Sequence, residues 1–141
     1  MTIASITTDI NIGPYKIPSN AQNMIMNNYA QRNNITIEIV IPEPIMSNQL
    51  ATTIWLHKEF NFSQIILCSF HQLPQDNKYF KRILDNFKKT IFHFAIEGLM
   101  GEGYDFLKKS QRESNFFNTT KIIDSSKTNW LKLFDDFKKT S

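Results

Sequence analysis

The chain has 141 residues, 41% of them hydrophobic, and a formal net charge of +3. This length fits one domain, and the composition excludes an intrinsically disordered chain. The small positive charge does not indicate a nucleic-acid partner, and no apolar run reaches the ~20 residues of a membrane helix. Cys68 is the single cysteine, so an internal disulfide is excluded. With no recognisable signal peptide, we expect a cytoplasmic protein.

Apolar runs rich in β-branched residues alternate with helical patterns along the first hundred residues. Strands are predicted over 2–8, 35–41, 64–70 and 91–96, and the run 64–70 has the continuous apolar character of a central parallel strand. Ser19 and Gln22 have the spacing of a capping box, which predicts a helix from Ser19 to about Arg32. Further helices are predicted over 47–58 and, capped by Asp76, over 76–89.

The remaining segments are predicted to be loops or short helices. Residues 9–18 and the glycine-punctuated segment 97–103 are expected to be loops, and Pro42 and Pro44 are expected to stop the second strand. Two shorter helices are predicted after Tyr104. The last of them has an apolar stripe at helical spacing, formed by Trp130, Leu133, Phe134 and Phe137.

This order of elements predicts an α/β fold with a short parallel sheet of about four strands and helices on both faces. We predict an α/β core domain over 1–103 and a C-terminal helical extension over 104–141 that packs on it. Ligands of such sheets bind outside the carboxyl ends of the strands, where the chain order reverses. This rule selects the loops at 9–22, 42–47, 69–76 and 97–103.

Two strand-end residues suggest acid–base chemistry. His71 follows the third predicted strand and Glu97 the fourth, so in neighbouring strands their side chains would meet, and the carboxylate would raise the pKa of the imidazole. The alternative is that both only bind loop backbone. Four further polar residues are candidate substrate-binding groups: Gln22, Asn23, Glu43 and Ser69.

Simpler explanations compete for several of these residues. The capping box accounts for Gln22 without a ligand, and Glu43 between two prolines suits a solvated turn. His93 lies inside a strand, where a packed or solvent-facing role is expected. Because the three histidines have no metal-ligand spacing within a helix, we predict no metal and no cofactor.

Three segments together resemble a known family. They are residues 17–23 (IPSNAQN), 65–74 (IILCSFHQLP) and 93–99 (HFAIEGL). In this order and spacing they are similar to the sporadic carbohydrate cluster family, short bacterial proteins encoded among genes for surface polysaccharide and sugar modification. The resemblance covers about residues 5 to 103. The most specific parts are Ser-Phe-x-x-Leu-Pro and Phe-Ala-x-Glu-Gly-Leu.

That family in turn resembles the catalytic domain of serine recombinases, which implies a resolvase-like α/β fold. The recombinase chemistry is not implied for this chain. Ser19 stands three residues before Gln22 instead of four, and the first strand ends at Thr8 and Asp9 instead of an Arg. Residues 71–76 contain no Arg, whereas phosphoryl transfer needs several cations around the phosphate.

Two functions follow as expectations. The resemblance implies a protein of bacterial surface-carbohydrate biosynthesis or modification, which binds or converts a sugar or activated sugar at the strand ends. Whether it is an enzyme stays open at this point. The alternative is a non-catalytic assembly or partner-binding module, a homodimer joined through the C-terminal helices.

Overall fold

The computed structural model describes residues 1–7, 9, 11–44 and 50–126. Its strands are β1 (Thr2–Thr7), β2 (Asn11–Ile12), β3 (Tyr15–Lys16), β4 (Ile39–Glu43), β5 (Gln64–Leu67), β6 (Ile91–Phe94) and β7 (Leu99–Glu102). Its helices are α1 (Ser19–Arg32), α2 (Ala51–Phe60), α3 (Asn77–Asn86) and α4 (Gly103–Ser126), with a 3-10 turn at Phe70–Gln72. In the described part of the chain, no helix has both the length and the apolar character needed to cross a membrane.

The main sheet has five strands in the order β4-β1-β5-β6-β7. The first four are parallel, and β7 runs antiparallel to β6. The strands β2 and β3 form a separate small hairpin. The predicted α/β class is confirmed, and the four predicted strands are the four parallel ones.

The strand β7 corrects the prediction of a loop over 97–103. Gly98 has a φ of 65°, a left-handed conformation that turns the chain directly back along β6. Gly101 pairs with Phe92, and a Cβ at Gly101 would lie 2.6 Å from the ring of Phe106 on α4. The glycines that suggested a loop therefore serve a tight turn and a close helix contact.

The second strand does not stop at Pro42, although it does end directly before Pro44. It begins at Ile39 instead of residue 35 and continues through Pro42, which pairs with Ile6, to Glu43. Since β4 is an edge strand with β1 as its one neighbour, the missing N–H of Pro42 costs no hydrogen bond on the outer side.

Further differences concern the helices. The helix α2 begins at Ala51 instead of residue 47. Of the two helices predicted after Tyr104, the described residues contain one, α4, which has 24 residues. It packs on the sheet through Leu107, which is 1% exposed. The stripe of Trp130, Leu133, Phe134 and Phe137 lies outside the described residues. The division at residue 103 into core and extension stays a prediction.

The core lies in two layers, one on each face of the sheet. Phenylalanines fill the layer beneath α2, α3 and α4, and five of them are less than about 2% exposed: Phe62, Phe80, Phe87, Phe92 and Phe94. On the other face, Met26, Tyr29 and Ala30 of α1 cover Ile66 and Cys68. Burial of each large side chain contributes about 1.5–3 kcal/mol. Cys68 is part of this core, where burial raises the pKa of its thiol to about 12.

Candidate functional site

The site is built at the carboxyl ends of β1 and β5, where a 3-10 turn follows β5. Ser69 caps this turn: its hydroxyl accepts a hydrogen bond from the His71 backbone N–H at 3.1 Å. In return, the Gln72 carboxamide oxygen accepts hydrogen bonds from the backbone N–H groups of Cys68 at 2.7 Å and Ser69 at 3.2 Å. The Ser-x-x-Gln sequence therefore forms a reciprocal capping box, which holds His71 in one orientation.

Glu97 fixes the same turn from the neighbouring strand β6. One of its carboxylate oxygens accepts the Ser69 hydroxyl at 2.9 Å, and the other accepts the Phe70 backbone N–H at 2.6 Å. Burial raises the pKa of Glu97, whereas these two hydrogen bonds act to lower it. The carboxylate thus acts on the turn that carries His71, through Ser69 and Phe70.

The imidazole of His71 is held by α4. Its Nδ1 lies 2.9 Å from the Ser114 hydroxyl oxygen, and that oxygen also accepts the Gln75 amide at 3.0 Å. A hydroxyl can both donate and accept, so this contact suits either neutral tautomer of the imidazole. His71 is 8% exposed, and burial lowers its pKa.

The predicted acid–base pair needs correction on this point. The structure does bring His71 and Glu97 to the same edge of the sheet, as expected. Their described connection runs through the Ser69 hydroxyl to the His71 backbone, while the imidazole pairs with Ser114. The expected rise in the His71 pKa is wrong, because burial dominates and lowers it.

A cavity of about 190 Å³ opens between the hairpin β2–β3 and the 3-10 turn. Gly13 lets the hairpin approach His71 closely: its φ is 56°, and a Cβ there would lie 2.6 Å from the His71 Nδ1. The Tyr15 ring meets the imidazole edge-on at 5.8 Å. The lining is more polar than apolar and consists of Thr7, Asn11, Ile12, Gly13, His71, Gln72, Leu73 and Gln75.

Gln22 is a structural residue of this region. It is fully buried, its carboxamide oxygen accepts the Thr7 N–H at 3.1 Å, and its amide donates to the carbonyls of Thr7 and Ile17 at 3.0 and 2.9 Å. The predicted capping box is wrong, since Pro18 is the N-cap and no side chain caps the helix. Gln22 instead ties the end of β1 to α1. Asn23 is half-buried in the second turn of that helix, away from the cavity lining.

Glu43 is also placed differently from either expectation, sugar contact or solvated turn. It is 3% exposed and caps α2: one carboxylate oxygen accepts both the N–H and the hydroxyl of Thr53, each at 2.8 Å. The other accepts the Thr52 N–H at 3.2 Å. A carboxylate at a helix N-terminus satisfies free N–H groups and interacts favourably with the helix dipole.

The site contains residues that sequence analysis did not find. Ser114 and Gln75 hold the imidazole of His71 in place, and Gly13 lets the hairpin approach it. None of these three residues belongs to a motif. The available signal was the strand-end rule, which had already selected the loops that contain Gly13 and Gln75. Within the described part of the chain, no group of three or more His, Cys, Asp or Glu side chains is arranged to hold a metal ion.

Comparison with protein families, with curated proteins and with solved structures finds no match to this chain.

Proposed function

We propose that the chain binds a small polyhydroxylated ligand, a single sugar ring, in the cavity beside His71. The observation that carries the proposal is the position of this cavity. It lies between Thr7 at the end of β1 and the turn after β5, and at β1 the chain order of the sheet reverses. Ligands of parallel α/β sheets bind at this reversal point.

The chemistry of the lining supports a sugar. Asn11, Gln72 and Gln75 offer amide donors and acceptors, and neutral His71 has one donor and one acceptor nitrogen. Hydroxyl groups need both kinds of partner. The volume of about 190 Å³ is below the ~300–1,000 Å³ of sites for drug-sized ligands, so it suits one ring.

The place of the protein in surface-carbohydrate biosynthesis or modification is part of the same proposal and is supported by the resemblance of the three sequence segments. The proposal is for binding. His71 would contact the ligand, whereas Ser69 and Glu97 would position His71. Gln22 and Glu43 would act on the scaffold alone.

Isothermal calorimetry of the whole chain against monosaccharides, sugar phosphates and nucleotide sugars tests this proposal. We expect one ligand class to bind, and Gln75→Leu to weaken that binding at least about tenfold, since a buried ligand hydroxyl would lose its partner. Gln31→Leu, on the exposed surface of α1, is the matched control and should bind normally. No binding across the panel, or equal binding by Gln75→Leu, would contradict the proposal.

The second candidate function is a non-catalytic assembly module, a homodimer joined through the C-terminal helices. The observation that favours it is Phe116, which is 70% exposed on α4. Aromatic side chains are enriched in protein–protein interfaces relative to the rest of the protein surface. Sedimentation equilibrium should then show a dimer that Phe116→Ser weakens. A monomer at all concentrations would exclude this assembly.

A further inference from the structure

A second cavity, of about 250 Å³, lies in the groove between α2 and α3. Trp55 and Lys58 line it from α2, and Arg82 and Asn86 line it from α3. We propose that this groove binds a nucleoside phosphate, with the base stacked on Trp55 and the phosphate held by Lys58 and Arg82. This site is separate from the cavity beside His71.

Trp55 provides the flat surface. Its side chain is 65% exposed, although its neighbour Ile54 is 7% exposed and belongs to the core. The helix therefore turns the indole outward while it is anchored beneath. Aromatic side chains exposed in this way stack on nucleobases without regard to their identity, because every base has a π face.

The two cations come from opposite sides of the groove. Lys58 stands three residues after Trp55, so both lie on one face of α2. Arg82 lies across the groove on α3, with its guanidinium carbon 6.0 Å from the centre of the Tyr79 ring. Among the described residues that line this cavity there is no carboxylate, and Asp85 lines the two neighbouring cavities instead. Arginine and lysine are the usual phosphate partners.

The groove is preformed because His57 joins its two helices. The His57 Nδ1 accepts the Phe62 backbone N–H at 2.8 Å, and its ring centre lies 4.6 Å from that of Phe87, the C-cap residue of α3. A preformed site loses less conformational entropy when a ligand binds. With one indole and two cations, it matches one nucleotide unit better than a polymer, which needs a longer basic track.

The test is a fluorescence titration of the whole chain carrying Trp130→Phe, which leaves Trp55 as the only tryptophan. The probes are ADP and UDP, with adenosine and inorganic pyrophosphate as ligands that lack the phosphates or the ring. We expect saturable quenching by both nucleotides, at least about tenfold weaker binding of adenosine and pyrophosphate, and the same loss in Lys58→Gln and Arg82→Gln. Both side chains are exposed, so these variants should remain folded.

The matched control is Arg32→Gln, an exposed arginine on α1, across the sheet from the groove. It changes the net charge by the same amount and should bind the nucleotides normally. The proposal is overturned if neither nucleotide quenches, if pyrophosphate or adenosine binds as tightly as ADP, or if Arg32→Gln weakens binding as much as Arg82→Gln. Preference for a single-stranded oligonucleotide over ADP would also overturn it.

Discussion

The Glu97 carboxylate accepts the backbone N–H of Phe70 across two neighbouring strands, with 2.6 Å between the two atoms. Glu97 follows β6 and Phe70 follows β5, so this bond joins two turns at the carboxyl end of the sheet. The Ser69 hydroxyl donates a second hydrogen bond to the same carboxylate. The geometry of the cavity thus depends on a carboxylate that does not line it.

Glu97 gives the protein a measurable pH dependence. Burial raises its pKa above the ordinary value of 4.5, so the folded protein holds this proton more tightly than the unfolded chain. Its contribution to stability therefore falls as pH rises from about 4.5 through the folded pKa. Glu97→Gln should flatten this part of the pH profile in urea unfolding. Glu59→Gln, exposed on α2, should leave it unchanged, and an unaltered slope in Glu97→Gln would show that the carboxyl is not the source.

Gly13→Ala should disturb His71 directly. The residue has a φ of 56°, and the new Cβ would lie 2.6 Å from the His71 Nδ1, so both strain and a clash oppose it. We expect a loss of about 2–4 kcal/mol of unfolding free energy by chemical denaturation. Gly98 has a similar φ of 65°, but a Cβ there would meet open space. Gly98→Ala should therefore lose only the part of the unfolding free energy that comes from backbone strain. Equal losses in the two variants would argue against the clash.

Ser114→Ala should loosen α4 from the site. The hydroxyl is fully buried and bonds His71 and Gln75, so its removal leaves both polar groups without this partner, at a cost of about 1–3 kcal/mol. Hydrogen exchange should become faster in α4. Ser110→Ala is the control, because the Ser110 hydroxyl donates only to the Phe106 carbonyl in its own helix and its loss should have a small effect. Similar exchange in both variants would contradict the prediction.

Tyr29→Phe should destabilise the opposite face of the sheet. His93 is 1% exposed, and its Nε2 lies 2.7 Å from the Gln64 carboxamide oxygen, so Nε2 donates and Nδ1 accepts the Tyr29 hydroxyl at 2.8 Å. Removing that hydroxyl leaves the buried Nδ1 acceptor without its partner. We expect the free energy of unfolding, measured by heat or urea, to fall by about 1–3 kcal/mol. Tyr79→Phe, whose ring contacts Arg82, should be near neutral. If both variants match the wild type, the hydroxyl bond has no role in stability.

The histidines should make the fold sensitive to acid. Burial lowers the pKa values of His57, His71 and His93 below the ordinary 6.5, so the folded protein binds these protons less tightly than the unfolded chain. Their contribution to stability is present above about pH 6.5 and is lost as pH falls below it. Urea unfolding between about pH 5 and 7 should show this loss, and His93→Gln should reduce it. Because Glu97 acts in the opposite direction, the comparison is made in Glu97→Gln, where a flat profile would contradict the prediction.

Much of the fold was predictable because its signals are local. Apolar runs identified β5 and β6, and Asp76 correctly marked the cap of α3. The bounds of α1 were predicted correctly, although the capping box used to predict them does not form. The errors lie where a distant contact decides. Pro42 stays in β4 because that strand is an edge, and Gly101 sits in β7 because it pairs with Phe92 on β6. Neither fact is visible in the neighbouring residues.

The candidate site was predictable in its place but not in its chemistry. The strand-end rule depends only on element order, so it correctly brought His71, Glu97 and Ser69 to one edge of the sheet. The partners of those side chains depend on packing. Gln22 and Glu43 are polar residues at strand or helix ends. Only the folded structure shows that both are buried and form hydrogen bonds with Thr7 and Thr53.

The sequence by itself determined the α/β class, the four parallel strands and the sheet edge at which the site lies, because hydrophobic periodicity and chain order are properties of the sequence. Only the tertiary structure decided that Ser114, 43 residues away along the chain, faces the imidazole of His71. A hydrogen bond across such a separation follows from where α4 packs on the sheet. The folded structure therefore decides the environment of His71 and the direction in which its pKa shifts.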